Sequence, residues 1–262
     1  KYMEKIILIT GCSSGLGEKI AESLSQNGYT VYAGARDVKD IAVKNGNLIP
    51  VRLDITNDKE CQLAVEKIIR EKGGIDVLIN NAGYTSVGPT VNFNVKDFID
   101  ILNTNAVGAF RLIKLVYPHM KSKRFGRIIN ITSLNGLLAL PNFGLYSASK
   151  HALEALGSSL RYEFIKDGIY VTNLAPGAVA SSIAQAKPIP HKPAREKFLL
   201  MKFLMPMVTQ DKVVNKIREL IISPHPPARE LMGADAKIMT LLQRFLPNSI
   251  WGRLLYFIWN KK

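Results

Sequence analysis

The sequence predicts an α/β fold: a doubly wound parallel sheet with helices on both faces, in a single domain. Two observations predict it. Short runs that are apolar at nearly every position alternate with longer helical patterns along the 262 residues. No composition break marks a linker between them. Strands apolar on both faces need cover on both sides, and helical crossovers of right-handed sense supply it.

The elements follow in order. "KIILIT" (5–10) is a β-branched run ending at a glycine, and a helical pattern occupies 15–27. "YTVYAGA" (29–35) and "NLIPVRL" (47–53) read as the second and third strands. A helix at 58–72 leads to the strand "IDVLIN" (75–80), and a long helix at 95–122 leads to "RIINIT" (127–132). A helix at 145–167 precedes "IYVTNLA" (169–175). A helix at 210–222 and a late strand at "ARELMG" (228–233) close the pattern. Two regions resist it: 178–208, rich in Pro, Met, Phe and Lys, and the tail from 237 onward.

Composition narrows the function classes. At 47% hydrophobic the chain is globular, and two cysteines, Cys12 and Cys61, are too few for a disulfide framework. Four scattered histidines show no zinc-ligand spacing, so no metal site is expected. The net charge of +14 suits nucleic acid, anionic lipid or a polyanionic cofactor. No nucleic-acid module accompanies it, so a nucleic-acid partner is not expected. "KYMEKIILITG" has no apolar run of secretory-signal length, and no stretch is long enough for an ordinary membrane span. The expected location is cytoplasmic.

The first loop points to a ligand. "ITGCSSGLGEKIAESL" places Gly11, Gly15 and Gly17, with Thr10, Ser13, Ser14 and Leu16, between a strand and a helix. Glycines there allow tight turns and close approach of a pyrophosphate to the helix N-terminus, whose amides and dipole favour anions. The spacing G-x-x-x-G-x-G differs from the commoner G-x-G-x-x-G, but the strand–turn–helix context predicts a dinucleotide and a Rossmann-like sheet. At the end of the second strand, "YAGARD" puts Ala35 where a carboxylate would grip the ribose of NAD, with Arg36 next to it. A guanidinium holds a 2′-phosphate with bidentate, charge-assisted bonds. NADP(H) is therefore expected over NAD(H), although Asp37 stands one position further on.

T-G-x-x-x-G-x-G at 10–17, "NNAG" at 80–83, a serine closing a strand, Y-x-x-x-K and "PG" at 176–177 occur in order. With these motifs the sequence resembles the short-chain dehydrogenase/reductases from about residue 4 to 235. Its nearest likeness is to members acting on lipophilic alcohols and ketones, such as retinol and 17β-hydroxysteroid dehydrogenases. The resemblance implies that Asp54 bonds the adenine amino group and Ile55 packs beside the ring. It places Asn81, Ala82 and Gly83 along the adenosine, and Asn105 as anchor of a proton-relay water. Ser133 would hold the substrate oxygen, and Tyr146 and Lys150 would be catalytic and cofactor-binding. Pro176 and Gly177 would sit against the nicotinamide, with Val179 offering its backbone to the carboxamide. Where the family often has threonine, "PGAVASS" offers Ser181. A substrate lid is expected at about 178–208, and a homodimer or homotetramer through the helices near 95–122 and 145–167.

Tyr146 and Lys150 lie one turn apart, so their side chains share a helix face. A phenol titrates near 10, too high for a base at neutrality. A cation at about 4 Å and a dielectric of about 20 interacts by roughly 4 kcal/mol. That would lower the phenol by about three pKa units, before desolvation works against it.

The tail, 236–262, carries five basic residues and no acidic one, with tryptophans and a tyrosine among leucines. It suits either a helix lying in a membrane interface or a helix packed on the domain. The reading is an NADP(H)-dependent oxidoreductase of lipophilic alcohols or ketones in lipid metabolism. The alternatives are a non-catalytic NADPH-binding sensor or scaffold and a lipid-surface module.

Overall fold

The computed structural model describes residues 5–43, 46–179 and 207–260. Seven strands form one parallel sheet in the order β3-β2-β1-β4-β5-β6-β7. They are β1 (Ile6–Thr10), β2 (Thr30–Ala35), β3 (Leu48–Arg52), β4 (Val77–Asn80), β5 (Gly126–Ile131), β6 (Ile169–Pro176) and β7 (Arg229–Met232). The strand order reverses between β1 and β4, and in such sheets ligands bind beyond the carboxyl ends of the strands at that point. The helices are α1 (Gly15–Gln26), α2 (Asp58–Lys72), α3 (Val95–Leu102), α4 (Gly108–Lys123), α5 (Gly144–Phe164), α6 (Gln210–Ile222), α7 (Ala234–Phe245) and α8 (Asn248–Asn260).

The two-faced strands behave as their composition requires. Ile7 and Ile9 join Ile20, Leu24, Val213 and Ile217 in one core, under α1 and α6. Ile6 and Leu8 join Ile68, Leu112 and Leu160 in the other, under α2, α4 and α5. Cys12 and Cys61 are buried thiols, and burial pushes them up to about 12 and about 11, which suits packing rather than reactivity.

One element differs from the sequence expectation. The helix expected as one piece at 95–122 is two, α3 and α4, joined by a π-helical turn at Asn103–Val107. One wider turn leaves apolar spacing almost unchanged, so periodicity does not reveal it. In the tail, α7 and α8 pack on the domain, one of the two placements open to it. Trp251 and Leu255 of α8 are buried with Ala236 and Met239 of α7 against Leu134, Leu138, Leu140 and Phe143. Among the described residues no helix is long and apolar enough to cross a membrane.

Candidate active site

A cleft of about 700 Å³ opens at the carboxyl ends of the central strands. Among its lining residues are every predicted site residue except Thr10 and Asn105.

The glycine loop is shaped by contacts that admit no side chain. Gly11 sits at φ 71°, and a Cβ there would meet the Ala82 Cα at 2.8 Å. A Cβ on Gly17 would lie 2.1 Å from the Gly11 carbonyl oxygen. Thr10 sits behind this loop. Its Oγ1 accepts from the amides of Asn81 at 3.0 Å and Ala82 at 2.9 Å, while Asn81 Nδ2 donates to the Thr10 carbonyl at 2.9 Å. Thr10 thus supports the cradle from behind. Ser14 holds the N-cap of α1 in extended conformation without a side-chain capping bond. The first-turn amides of α1, at Gly15, Leu16 and Gly17, therefore have no intrahelical acceptor and stand at the cleft. A pyrophosphate fits there.

Arg36 is exposed at the rim, just beyond buried Ala35. Asp37, which made the choice of cofactor ambiguous, accepts from the amide of Lys39 at 3.0 Å and is not among the lining residues. Asp54 lines the cleft with its Oδ1 accepting from the Thr56 amide and hydroxyl at 2.9 and 2.7 Å. Ile55 lines the same end, and only a glycine at 108 leaves it room: a Cβ there would stand 2.7 Å from Ile55 Cδ1.

The π-helical turn places Asn105 in the interior, 1% exposed. Its Nδ2 donates to the Tyr84 carbonyl at 2.9 Å and to Ser149 Oγ at 3.0 Å, and its Oδ1 accepts from the Tyr84 amide at 3.0 Å. The side chain clamps the loop after β4 onto α5. Gly83 is tied to this clamp, since a Cβ there would meet Asn105 Oδ1 at 2.9 Å.

Ser133 follows β5 and caps a short turn, accepting from the Asn135 amide at 3.2 Å. Tyr146, near the start of α5, turns its hydroxyl toward the side chains of Ser133 and Thr85. Lys150 is 5% exposed, donates to the Ile131 carbonyl at 2.8 Å, and holds its ammonium 5.9 Å from the Tyr146 ring centre. The fall in the Tyr146 pKa expected from Lys150 is opposed by desolvation, which that expectation left uncounted. Burial pushes the phenol above the ordinary tyrosine range, and its bonds to Ser133 and Thr85 only partly offset this. Desolvation is the largest of the effects on the phenol. Burial also lowers Lys150 to about 8, with Glu154 acting in the opposite direction.

Glu154 is the residue that motif reading missed. One turn beyond Lys150 and 3% exposed, it accepts from Thr132 Oγ1 at 2.6 Å and from Asn173 Nδ2 and Arg229 Nε, both at 3.0 Å. Asn173 continues a ladder across the sheet: Asn80 Nδ2 donates to Asn130 Oδ1 at 2.9 Å, and Asn130 Nδ2 to Asn173 Oδ1 at 3.0 Å. The i,i+4 spacing from Lys150 to Glu154 was the available signal. Asp235 was missed as well. Its Oδ2 accepts from the Ala178 amide at 2.8 Å, and a Cβ on Gly177 would lie 2.1 Å from either carboxylate oxygen. It fixes the Pro176–Val179 segment at the cleft. Ser181 and residues 180–206 of the expected lid lie outside the described residues.

Comparison with known proteins agrees with this geometry. The family model for short chain dehydrogenases matches residues 5–190. The 3-ketodihydrosphingosine reductase of Bacteroides thetaiotaomicron is 40% identical over 174 residues, 66% of this chain and 63% of that protein. This chain thus spans less than two thirds of that relative. A solved short-chain dehydrogenase from Streptomyces avermitilis superposes with TM-score 0.83 at 28% identity, covering 98% of this chain and 97% of its own. ElxO with NADP bound superposes with TM-score 0.76 at 26% identity, covering 88% of this chain and 96% of its own.

Proposed function

The chain belongs to the short-chain dehydrogenase family, and from that premise we propose that it moves a hydride between NADP(H) and a lipophilic alcohol or ketone, with Tyr146 as the acid/base. The observation that carries this is the convergence of the Tyr146 hydroxyl with Ser133 beside the buried ammonium of Lys150, in the cleft that also holds the glycine cradle. The nicotinamide, when bound, supplies or receives the hydride.

The chain's own residues do the rest. The α1 amides take the pyrophosphate and Arg36 takes the 2′-phosphate that distinguishes NADP from NAD. Asp54 and Ile55 would hold the adenine, Asn81 to Gly83 the adenosine and Pro176 to Val179 the nicotinamide, all of them residues that line the cleft. Ser133 donates to the substrate oxygen. Tyr146 passes its proton to that oxygen in reduction, its O–H bond breaking as the new one forms, and recovers it in oxidation. Lys150 offsets the phenolate charge formed at that moment. In the resting site the phenol is held above its ordinary range, which is the protonated form that carbonyl reduction requires.

Leu134, Leu140, Phe143 and Val179 give the cleft apolar walls, which favours a lipophilic substrate. The Bacteroides relative is named for reduction of a long-chain ketone, which agrees with that class. We further assign a homodimer or homotetramer to the helices α3 to α5; Phe98 and Ile99 of α3, Val107 of the π-helical turn and Phe110 of α4 are exposed. The test is a panel of ketones graded by chain length, followed by loss of NADPH absorbance. NADPH binding without turnover of any ketone would replace the enzyme by a sensor or scaffold.

A further inference from the structure

The outer face of α7 is apolar, although the helix is already packed on the domain by its other face. Asp235, Ala236 and Met239 point inward and are buried. Ile238, Leu241, Leu242 and Phe245 recur at helical spacing on the opposite side, exposed by 48%, 58%, 40% and 73%. An amphipathic helix buries one apolar stripe, and α7 has a second one directed outward. Ile250, at the start of α8, is exposed by 51% and extends the apolar surface.

We propose that this face docks on an anionic lipid surface. Charge selects that occupant. Lys237 and Arg244 on α7 and Arg253 on α8 are exposed, while Asp235, the sole acidic residue from 234 to the end, is buried and bonded to Ala178. In a two-fold contact with a second copy these basic side chains would face their own equivalents. An anionic headgroup layer would neutralise them while the apolar stripe enters the acyl boundary. The position of the face adds a consequence. α7 and α8 pack through Met239, Trp251 and Leu255 on Leu134, Leu140 and Phe143, three residues that also line the cleft. The lipid-facing helix is thus the back of the cleft wall, and a substrate dissolved in the bilayer would be presented beside the site.

The surface is tested without turnover, so its failure leaves the catalytic assignment standing. The full chain is floated with vesicles of phosphatidylcholine containing phosphatidylglycerol, and with phosphatidylcholine alone. The expected result is flotation with the anionic vesicles, weakened by salt. The double change Leu241→Glu and Phe245→Glu should cut binding by about tenfold or more, the equivalent of losing one buried leucine. Arg244→Glu, which changes none of the apolar side chains of the stripe, gives a second reading should the double variant misfold, and should reduce binding in the same direction. Wild-type protein that stays with the soluble fraction would overturn the proposal. So would variants that float as well as wild type. An oligomer that dissociates on Leu241→Glu, without vesicle binding by the wild type, would assign the face to a second copy instead.

Discussion

The Lys150 ammonium lies 5.9 Å from the Tyr146 ring centre, one helical turn along α5, and is hydrogen-bonded to the Ile131 carbonyl. The ammonium is thus fixed by a backbone carbonyl on the helix face it shares with the phenol. Burial governs the resting titration of both groups.

Tyr146→Phe should abolish ketone reduction while leaving NADPH affinity nearly unchanged, because only the transferable proton is removed. Turnover at saturation and cofactor titration by fluorescence check this. Retention of more than about a tenth of wild-type turnover would assign the proton to another group.

Lys150 gives a pH signature in stability. Its folded pKa is lowered to about 8 from 10.5. Between those values the unfolded chain binds the proton that the folded chain has released, so stability rises with pH across that window. Below about 8 the buried ammonium imposes its full cost. Above about 10 the raised Tyr146 pKa works the other way, since the unfolded phenol ionises first. Lys150→Met should therefore flatten the rise between about pH 8 and 10, read from denaturant midpoints, while abolishing activity. An unchanged pH slope would show that the lysine is not desolvated.

Glu154→Gln should shift the pH dependence of kcat/KM to lower pH. Glu154 raises the Lys150 pKa, so removing its charge lets Lys150 lose its proton earlier. The same change should cost about 1–3 kcal/mol in stability, because Thr132, Asn173 and Arg229 all donate to this carboxylate. Lost stability with an unmoved pH profile would confine Glu154 to a structural role.

Arg36→Ala should weaken NADPH roughly ten- to a hundredfold, about 1.5–3 kcal/mol for one charge-assisted contact, with little effect on NADH. Equal losses for the two cofactors, measured by binding titration, would remove the 2′-phosphate role.

Much of this architecture was legible in the sequence, because alternation and spacing are local. The two-faced strands implied a parallel sheet, and Gly11, Gly15 and Gly17 implied an anion cradle. Tyr146 and Lys150 shared a face by their separation alone. The outward stripe of α7 could be counted as apolar, but which of its two faces met the domain could not. Contacts between remote segments were equally hidden. Glu154 gathers donors from positions 19, 22 and 75 residues away in the chain, and the ladder from Asn80 through Asn130 to Asn173 exists only once β4, β5 and β6 lie in register.

The sequence by itself determined which residues could cradle a phosphate, select the 2′-phosphate and share one helix face at the site. Helix and strand periodicity, with the backbone freedom of glycine, act over a few residues and can be read directly. Tertiary structure alone decided that Asn105 spends its side chain on Tyr84 and Ser149 in a π-helical turn, and that Asp235 closes on Ala178. It also decided that Tyr146 rests above its ordinary range. Desolvation depends on how much protein surrounds a group, and that quantity exists only after the sheet, its helices and the α7–α8 tail have packed.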